Sequence, residues 1–258
     1  MAIITIATDY GTTDGYAAAV KGIIKSLNPD VDIVDVTDNL TTILKTSLVL
    51  FRYYSCYPQG AVHLVINDPT VGTARRALTG TDGRCFFVGP DNGVFSHIIQ
   101  SAQRSQWHSI EISKLPPREI ISSTFHGRDI FAPAAALLSL GKLPEELGPR
   151  IADPVTIEIP APSLKRNLII GEVIDIDSFG NLIINISRDI LKEIGTVSIK
   201  GENMSLKKKF SDVPPRFPVA YIGSMGYLEI AINQGQASKF FNAQISDKVE
   251  VISDLPCL

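Results

Sequence analysis

The sequence predicts an α/β protein with a mostly parallel sheet flanked by helices, followed by a smaller all-β, barrel-like domain. Three observations carry that expectation. Apolar β-branched runs alternate with helical periods through the first half. After Gly148 helical periodicity nearly vanishes and short strand-like runs take over. Between the two regimes, "ADPVTIEIPAPSLKRN" carries three prolines and little period. The expected division is 1–150 for an α/β catalytic domain, 151–166 for a linker, and 167–258 for the β domain.

Taken in order, strands are expected at Ile3–Ala7, Val31–Val36, Ala61–Ile66, Cys85–Val88 and Ser109–Ile112. In "GYAAAVKGIIKSLNP", Tyr16, Val20, Ile23, Ile24 and Leu27 share one helical face, and Asn28-Pro29 ends the run. "TTILKTSLVLFRYYSCYP" gives a second helix stopped by Pro58, and "NGVFSHIIQSAQ" a third. In the fourth, "RDIFAPAAALLSLGK", Pro133 either opens the helix at its first position or kinks it. The second half reads as strands in "LIIGEVIDID", "NLIINIS", "TVSIKG", "PVAYIG", "YLEIAI" and "KVEVI".

Composition excludes several classes. The 258 residues are 45% hydrophobic, enough for a substantial core, and a net charge of -3 offers no basic surface for nucleic acid. No apolar run reaches the roughly 20 residues that span a bilayer. "MAIITIATDYG" lacks a basic leading segment and reads as a first strand, not a signal peptide. Cys56, Cys85 and Cys257 are odd in number and far apart, so neither a disulfide framework nor a cysteine zinc site is expected, and a reducing cytoplasm is. Neither GxGxxG nor GxxxxGK[ST] occurs.

Polar residues gather where strands end. The first four expected strands run into Asp9, Asp38, Asp68 and Asp91. In an open α/β sheet, ligands bind outside the carboxyl ends of the strands, so these four would crowd one crevice. A single such Asp is an ordinary turn former or helix cap; four, with Asp14 beside Asp9 in the same turn, point to a polar ligand. "SSTFHGRDIFAP" places His126 on a loop before a helix, near the same rim, with Arg128 and Asp129 able to pair or cap. His63, His97 and His108 fall within strand or helix patterns and read as structural. In the second half, "DIDSFGNLIINI" reads as a hairpin whose Asp177 and Asn181 suit the turn itself. Its Phe179 suits stacking on a purine.

Six blocks in order, "TDYGTTDGY", "VINDPTVGTARR", "VGPDNGVFS", "STFHGRDIFAPAAA", "IDSFGNLIINI" and "GSMGYLEIAINQG", resemble the S-adenosylmethionine hydroxide adenosyltransferases, adenosine-forming hydrolases related to fluorinase and chlorinase. The resemblance implies an N-terminal α/β domain and a C-terminal β-barrel in a homotrimer, with ligand held between one subunit's first domain and a neighbour's second. It implies a catalytic set of Asp68, Arg75 and His126. Asp9 would grip the ribose hydroxyls, and Asp14 and Asp177 would approach the methionine amino group. Phe179 and Asn181 would hold the adenine with backbone around Asn233, and Ser224 would meet the methionine carboxylate. No metal and no cofactor are implied, S-adenosylmethionine being the substrate.

Two departures stand out: Thr70 occupies a loop position where the family commonly has glycine, and Met225 stands at a variable position. Tyr16 also sits where the halogenating relatives have serine, near the methionine amine. Those relatives also carry tyrosine in place of Asp68 and lack the His-Gly pair, so halide chemistry is disfavoured. A non-catalytic adenosine or S-adenosylmethionine sensor is the competing class. A magnesium-dependent phosphohydrolase built on the clustered aspartates is a third.

Overall fold

Short parallel pairings and tight hairpins organise Met1–Ile159 as one unit, and Pro160–Leu258 forms a second. The computed structural model describes residues 2–102, 104–191 and 195–252. Cys257, with the rest of 253–258, lies outside them.

The first unit runs β1 (Ile3–Thr8), α1 (Tyr16–Leu27), β2 (Asp32–Thr37), α2 (Ile43–Tyr53), β3 (Val62–Ile66), β4 (Ala77–Thr81) and β5 (Phe86–Pro90). It continues with α3 (Ser96–Ser101), β6 (Gln106–Ser109), α4 (Ala132–Ser139), α5 (Pro144–Leu147) and β7 (Arg150–Ile151). The sheet order is β2-β1-β3-β5-β4-β6-β7. Strands β2, β1, β3 and β5 pair in parallel, so Thr37, Thr8, Ile66 and Pro90 end on one edge. Alternation along β1 and β3 divides the core. Ile4, Ile6, Val62, Leu64 and Ile66 face α1 and α4, while Ala7 and Val65 join the cluster that packs α2 and α3.

The sheet is mixed, which corrects the expectation of a mostly parallel one. β4 pairs antiparallel with both β5 and β6, and β6 with β7. β4 lacks an apolar run, and its hairpin is made by Asp82-Gly83. Gly83 has φ 90°, and the Asp82 carboxylate accepts the N–H groups of Arg84 (2.9 Å) and Cys85 (2.8 Å). The strand expected at Ser109–Ile112 lies earlier, at Gln106–Ser109, and a 3-10 turn covers Ile112–Lys114.

Pro133 is the second residue of α4, close to the opening position expected for it. Gly127–Phe131 forms a π-helical turn, with the Ala132 N–H bonded to the Gly127 carbonyl, and α4 continues from it with Pro133 in its first turn. His63 is core: Nδ1 bonds Thr5 Oγ1 at 2.8 Å, and Tyr53, Tyr54, Tyr57 and Phe87 surround the ring. Burial pushes His63 down to about 4, and His97, bonded to Ser47, likewise.

The second unit comprises β8 (Ser163–Lys165), β9 (Leu168–Ile176), β10 (Leu182–Ser187), β11 (Thr196–Ile199), β12 (Glu202–Ser205), β13 (Pro218–Ile222), β14 (Tyr227–Ile232), α6 (Ala237–Phe240) and β15 (Lys248–Ile252). Its order is β12-β11-β15-β9-β10-β14-β13, with β8 on β9. The two ends approach through a bridge between Leu206 and Ala220, so the sheet is nearly barrel-shaped. Ile169, Val173, Ile184, Val197, Leu228 and Val249 are among its buried core.

The segment 151–166 is structured at both ends. Asp153 pairs with Arg76 (2.8 Å), the Val155 N–H donates to Asp91 (2.7 Å) and the Ile157 N–H to Ser96 Oγ (2.9 Å). At its other end, β8 pairs with β9. Among the described residues, no helix is long and apolar enough to cross a membrane.

Candidate active site

Asp68 leaves β3 behind a fixed residue. The buried Asn67 donates from its amide to Thr46 Oγ1 on α2 (2.8 Å), and its carbonyl accepts from Asn92 beyond β5 (2.9 Å). The chain then turns sharply and brings Arg75 back. Arg75 Nε donates to Asp68 Oδ1 at 2.9 Å and Nη2 donates to Oδ2, a bidentate pair in which both side chains are only 7% exposed. Nη1 donates to the Arg76 carbonyl (3.2 Å), and the guanidinium lies over the Phe131 ring, 5.2 Å from its centroid. The guanidinium seven residues after the carboxylate therefore returns to lock it.

His126 joins the same guanidinium: its Nδ1 lies 2.8 Å from Arg75 Nη2. A guanidinium has only donors, so Nδ1 accepts and the neutral imidazole carries its proton on Nε2. Burial and then the Arg75 charge push the His126 pKa below its ordinary value, against the weaker pull of Asp68 and Asp129. Asp68 is thus an acceptor, His126 a donor, and Arg75 the hub between them.

Close backbone approach makes this meeting possible. Gly72, at φ 80°, packs on the carbonyl of Ser123, where a Cβ would sit 2.5 Å away. A Cβ on Gly127 would collide with the Tyr10 hydroxyl. Asp129 anchors the His126 loop. Burial would raise this carboxyl, but hydrogen bonds from Arg128 (2.7 Å) and the Ser122 N–H (2.8 Å), with the Arg118 charge, together hold it below its ordinary value.

Asp9 belongs beside Asp68: its Oδ2 accepts the Asp68 N–H at 3.2 Å. Burial raises its pKa, the Asp68 N–H partly offsets this, and the Asp68 charge adds to the rise. The expected ring of four strand-end carboxylates is narrower than the sequence suggests. Asp91 is buried, bonded by Arg76 (2.6 Å) and the Val155 N–H, and Asp38 accepts from Thr8 Oγ1 (3.2 Å). Of the adjacent arginines, Arg75 serves the cluster and Arg76 clamps the 153–155 strap. Asp14 is exposed on the loop before α1.

Tyr10 is a site feature that the sequence expectations omitted. With Tyr16 and Phe125 it forms an aromatic group, centroids 5.2 to 5.8 Å apart. These rings line a cleft of about 370 Å³ with Ser122, Thr124 and Arg128. The available signal was a tyrosine at each end of "YGTTDGY".

In the second unit, Asp177 organises the hairpin turn between β9 and β10. Oδ1 accepts the N–H groups of Phe179 (2.9 Å) and Asn181 (2.8 Å), and Oδ2 accepts the Asn181 side-chain amide (2.9 Å). Gly180, at φ 81°, packs against Gln236 and Ser238. This rigid turn holds Phe179 73% exposed. Ser224 is exposed in the β13–β14 turn. Asn233 is committed within its own unit: its N–H bonds Phe217 O (3.0 Å), its carbonyl accepts from Arg216 (2.7 Å) and its side chain donates to Val213 O (2.7 Å). Among the described residues, no group of three or more His, Cys, Asp or Glu side chains is arranged to hold a metal ion.

The sequence profile of the SAM hydroxide adenosyltransferase N-terminal domain matches residues 4–148, and that of the C-terminal domain matches 171–250. The chain belongs to the SAM hydroxide adenosyltransferase family. A Thermus thermophilus protein named (R)-S-adenosyl-L-methionine hydrolase is similar to this family member at 37% identity over 240 residues, 89% of this chain and 91% of the other. An uncharacterized conserved protein of Thermotoga maritima has a crystal structure with TM-score 0.90 and 34% identity, covering 96% of this chain and 99% of that one. A fluorinase of an Actinoplanes species is more distant, at 27% identity over 289 residues, 96% of this chain and 97% of that protein. The Asp68–Arg75–His126 cluster lies within the N-terminal domain match of the adenosyltransferase family.

Proposed function

We propose that the protein hydrolyses S-adenosyl-L-methionine to adenosine and L-methionine by in-line attack of water, or its conjugate base, on the ribose C5′. The observation that carries this is the sharing of one guanidinium by the Asp68 carboxylate and the His126 Nδ1. Sequence kinship to proteins named (R)-S-adenosyl-L-methionine hydrolase supports the substrate class.

The chemistry follows from the substrate. A sulfonium is already a good leaving group, so the departing thioether needs little acid assistance. The task is to aim a water at the opposite face of C5′, and well-oriented reactants gain roughly 7–11 kcal/mol in favourable systems. Asp68 accepts a hydrogen bond from that water, and His126 Nδ1 holds the guanidinium that aims the carboxylate. As the C5′–O bond forms, the C5′–S electron pair returns to sulfur, giving neutral methionine, and the water's proton passes to Asp68 and then to solvent. Arg75 holds carboxylate and imidazole in register, and His126 does this as the neutral ring whose Nδ1 accepts from the guanidinium.

Asp9 takes the ribose hydroxyls. Asp14 and Asp177 face the amino group, Ser224 the carboxylate, and Phe179 and Asn181 the adenine. Phe179, stiffly presented and largely exposed, is well suited to stacking. Asn233, whose backbone N–H, carbonyl and side-chain NH₂ are engaged, contributes by holding the Arg216–Phe217 segment. The working assembly is a homotrimer, each ligand seat completed by a neighbour's C-terminal unit. The scheme needs neither metal nor cofactor.

Incubation of purified protein with each sulfonium epimer of S-adenosylmethionine, with products resolved by chromatography, tests the proposal. Equal amounts of adenosine and methionine are expected; tight binding without turnover would favour the sensor instead. The acceptor role of His126 Nδ1 has its own consequence. Because its folded pKa is lowered, the neutral, active form persists as pH falls through the ordinary histidine value of about 6.5. Protonation at lower pH sets two donors face to face. The kcat–pH profile is therefore expected to fall only below pH 6.5, and His126→Gln, whose amide oxygen can accept from Arg75 in place of Nδ1, to lose that acid limb. A limb centred at or above 6.5 would count against a neutral imidazole here.

A further inference from the structure

We infer that Thr70 is a positioning residue that fixes which Asp68 oxygen holds the nucleophile, an inference that rests on the hydrolytic reading above. The Thr70 hydroxyl donates to Asp68 Oδ1 at 3.1 Å. The loop locks Thr70 in turn: Thr73 Oγ1 donates to the Thr70 carbonyl at 2.8 Å, and the Thr73 hydroxyl oxygen accepts the Arg75 N–H at 3.3 Å. Two threonine hydroxyls thus tie together the loop that carries Asp68 at one end and Arg75 at the other.

A carboxylate offers about four lone-pair positions. On Oδ1, Arg75 Nε and Thr70 Oγ1 occupy two. On Oδ2, Arg75 Nη2 occupies one. One remains, on the oxygen whose guanidinium partner also contacts His126 Nδ1. Water docks there. Without the Thr70 hydroxyl, Oδ1 regains an open position and the solvent molecule divides between two sites, only one of them in line with C5′. Glycine, the residue the resemblance leads one to expect here, cannot supply this bond.

The test is steady-state kinetics on Thr70→Ala, Thr70→Val and Thr70→Ser beside the unaltered protein and Asp68→Asn. Thr70 is exposed, so folding is not at stake. A hydrogen bond to a charged group has a net effect equivalent to about 10- to 100-fold in rate. Thr70→Ala and Thr70→Val are expected to lower kcat about tenfold with KM changed less than twofold, and Thr70→Ser to restore most of it. Unaltered kcat in Thr70→Ala and Thr70→Val, against an active parent and a dead Asp68→Asn, would overturn the role of Thr70 alone. A fall in which KM rises and kcat holds, or which serine fails to rescue, would also overturn it. An inactive parent would overturn the hydrolytic reading and this inference with it.

Discussion

Asp68→Asn is expected to lower kcat for adenosine formation by a thousandfold or more while changing KM little. The two oxygens of Asp68 receive Arg75 Nε and Nη2 and the Thr70 hydroxyl. An amide can present only one oxygen to them; its NH₂ must face another donor or the nucleophile, and neither arrangement accepts a proton. Loss of a positioned proton acceptor typically costs about 10²- to 10⁴-fold, and the misdirected donor adds to this. The pair is also nearly dry, each side chain 7% exposed. Removing the anion leaves a desolvated guanidinium, which in buried pairs destabilises by about 3–5 kcal/mol. Urea unfolding should therefore show a lower midpoint in Asp68→Asn, and kinetics must be read well below that midpoint. Near-normal kcat in a folded Asp68→Asn protein would remove Asp68 from the chemistry.

The second large effect is expected from Arg75→Lys, which keeps the charge and discards the geometry. Lysine is a compact point charge; the guanidinium is a rigid planar fork. Here the fork reaches both Asp68 oxygens, His126 Nδ1 and the Arg76 carbonyl while stacking over Phe131. An ammonium can neutralise Asp68, but it cannot simultaneously hold the imidazole. Asp68 and His126 would then move independently, and kcat should fall about 100-fold with a smaller loss of stability than in Asp68→Asn. If charge alone mattered, Arg75→Lys would keep most of the activity in the same assay, and the hub role would fail.

Much of this was legible in residue patterns, for physical reasons. Alternation along β1 and β3 dictates two buried faces, and both faces are filled as that alternation requires. The Asp-x₆-Arg spacing signals a loop but not its closure, because the bidentate geometry depends on Gly72 packing against Ser123. The mixed sheet was missed because β4, "ALTGT", has too few large apolar residues to register as a strand; its pairing comes from the Asp82-Gly83 turn and from neighbours on both sides. Asp91 resembled Asp9 and Asp68 in its strand-end position. What distinguishes it is Arg76 and the Val155 N–H, the latter 64 positions away, and no local pattern encodes such a partner. Thr70 was visible as an unusual residue, but its purpose required knowing where the Asp68 carboxylate points.

The central claim is that a solvent oxygen, aligned by Asp68, Arg75 and His126, becomes the 5′-oxygen of adenosine. Turnover of S-adenosylmethionine in ¹⁸O-enriched water, followed by mass spectrometry of both products, tests it most directly. The account expects one heavy oxygen at the adenosine 5′ position and none gained by methionine. Adenosine-free turnover, or adenosine whose 5′-oxygen stays light, would contradict it.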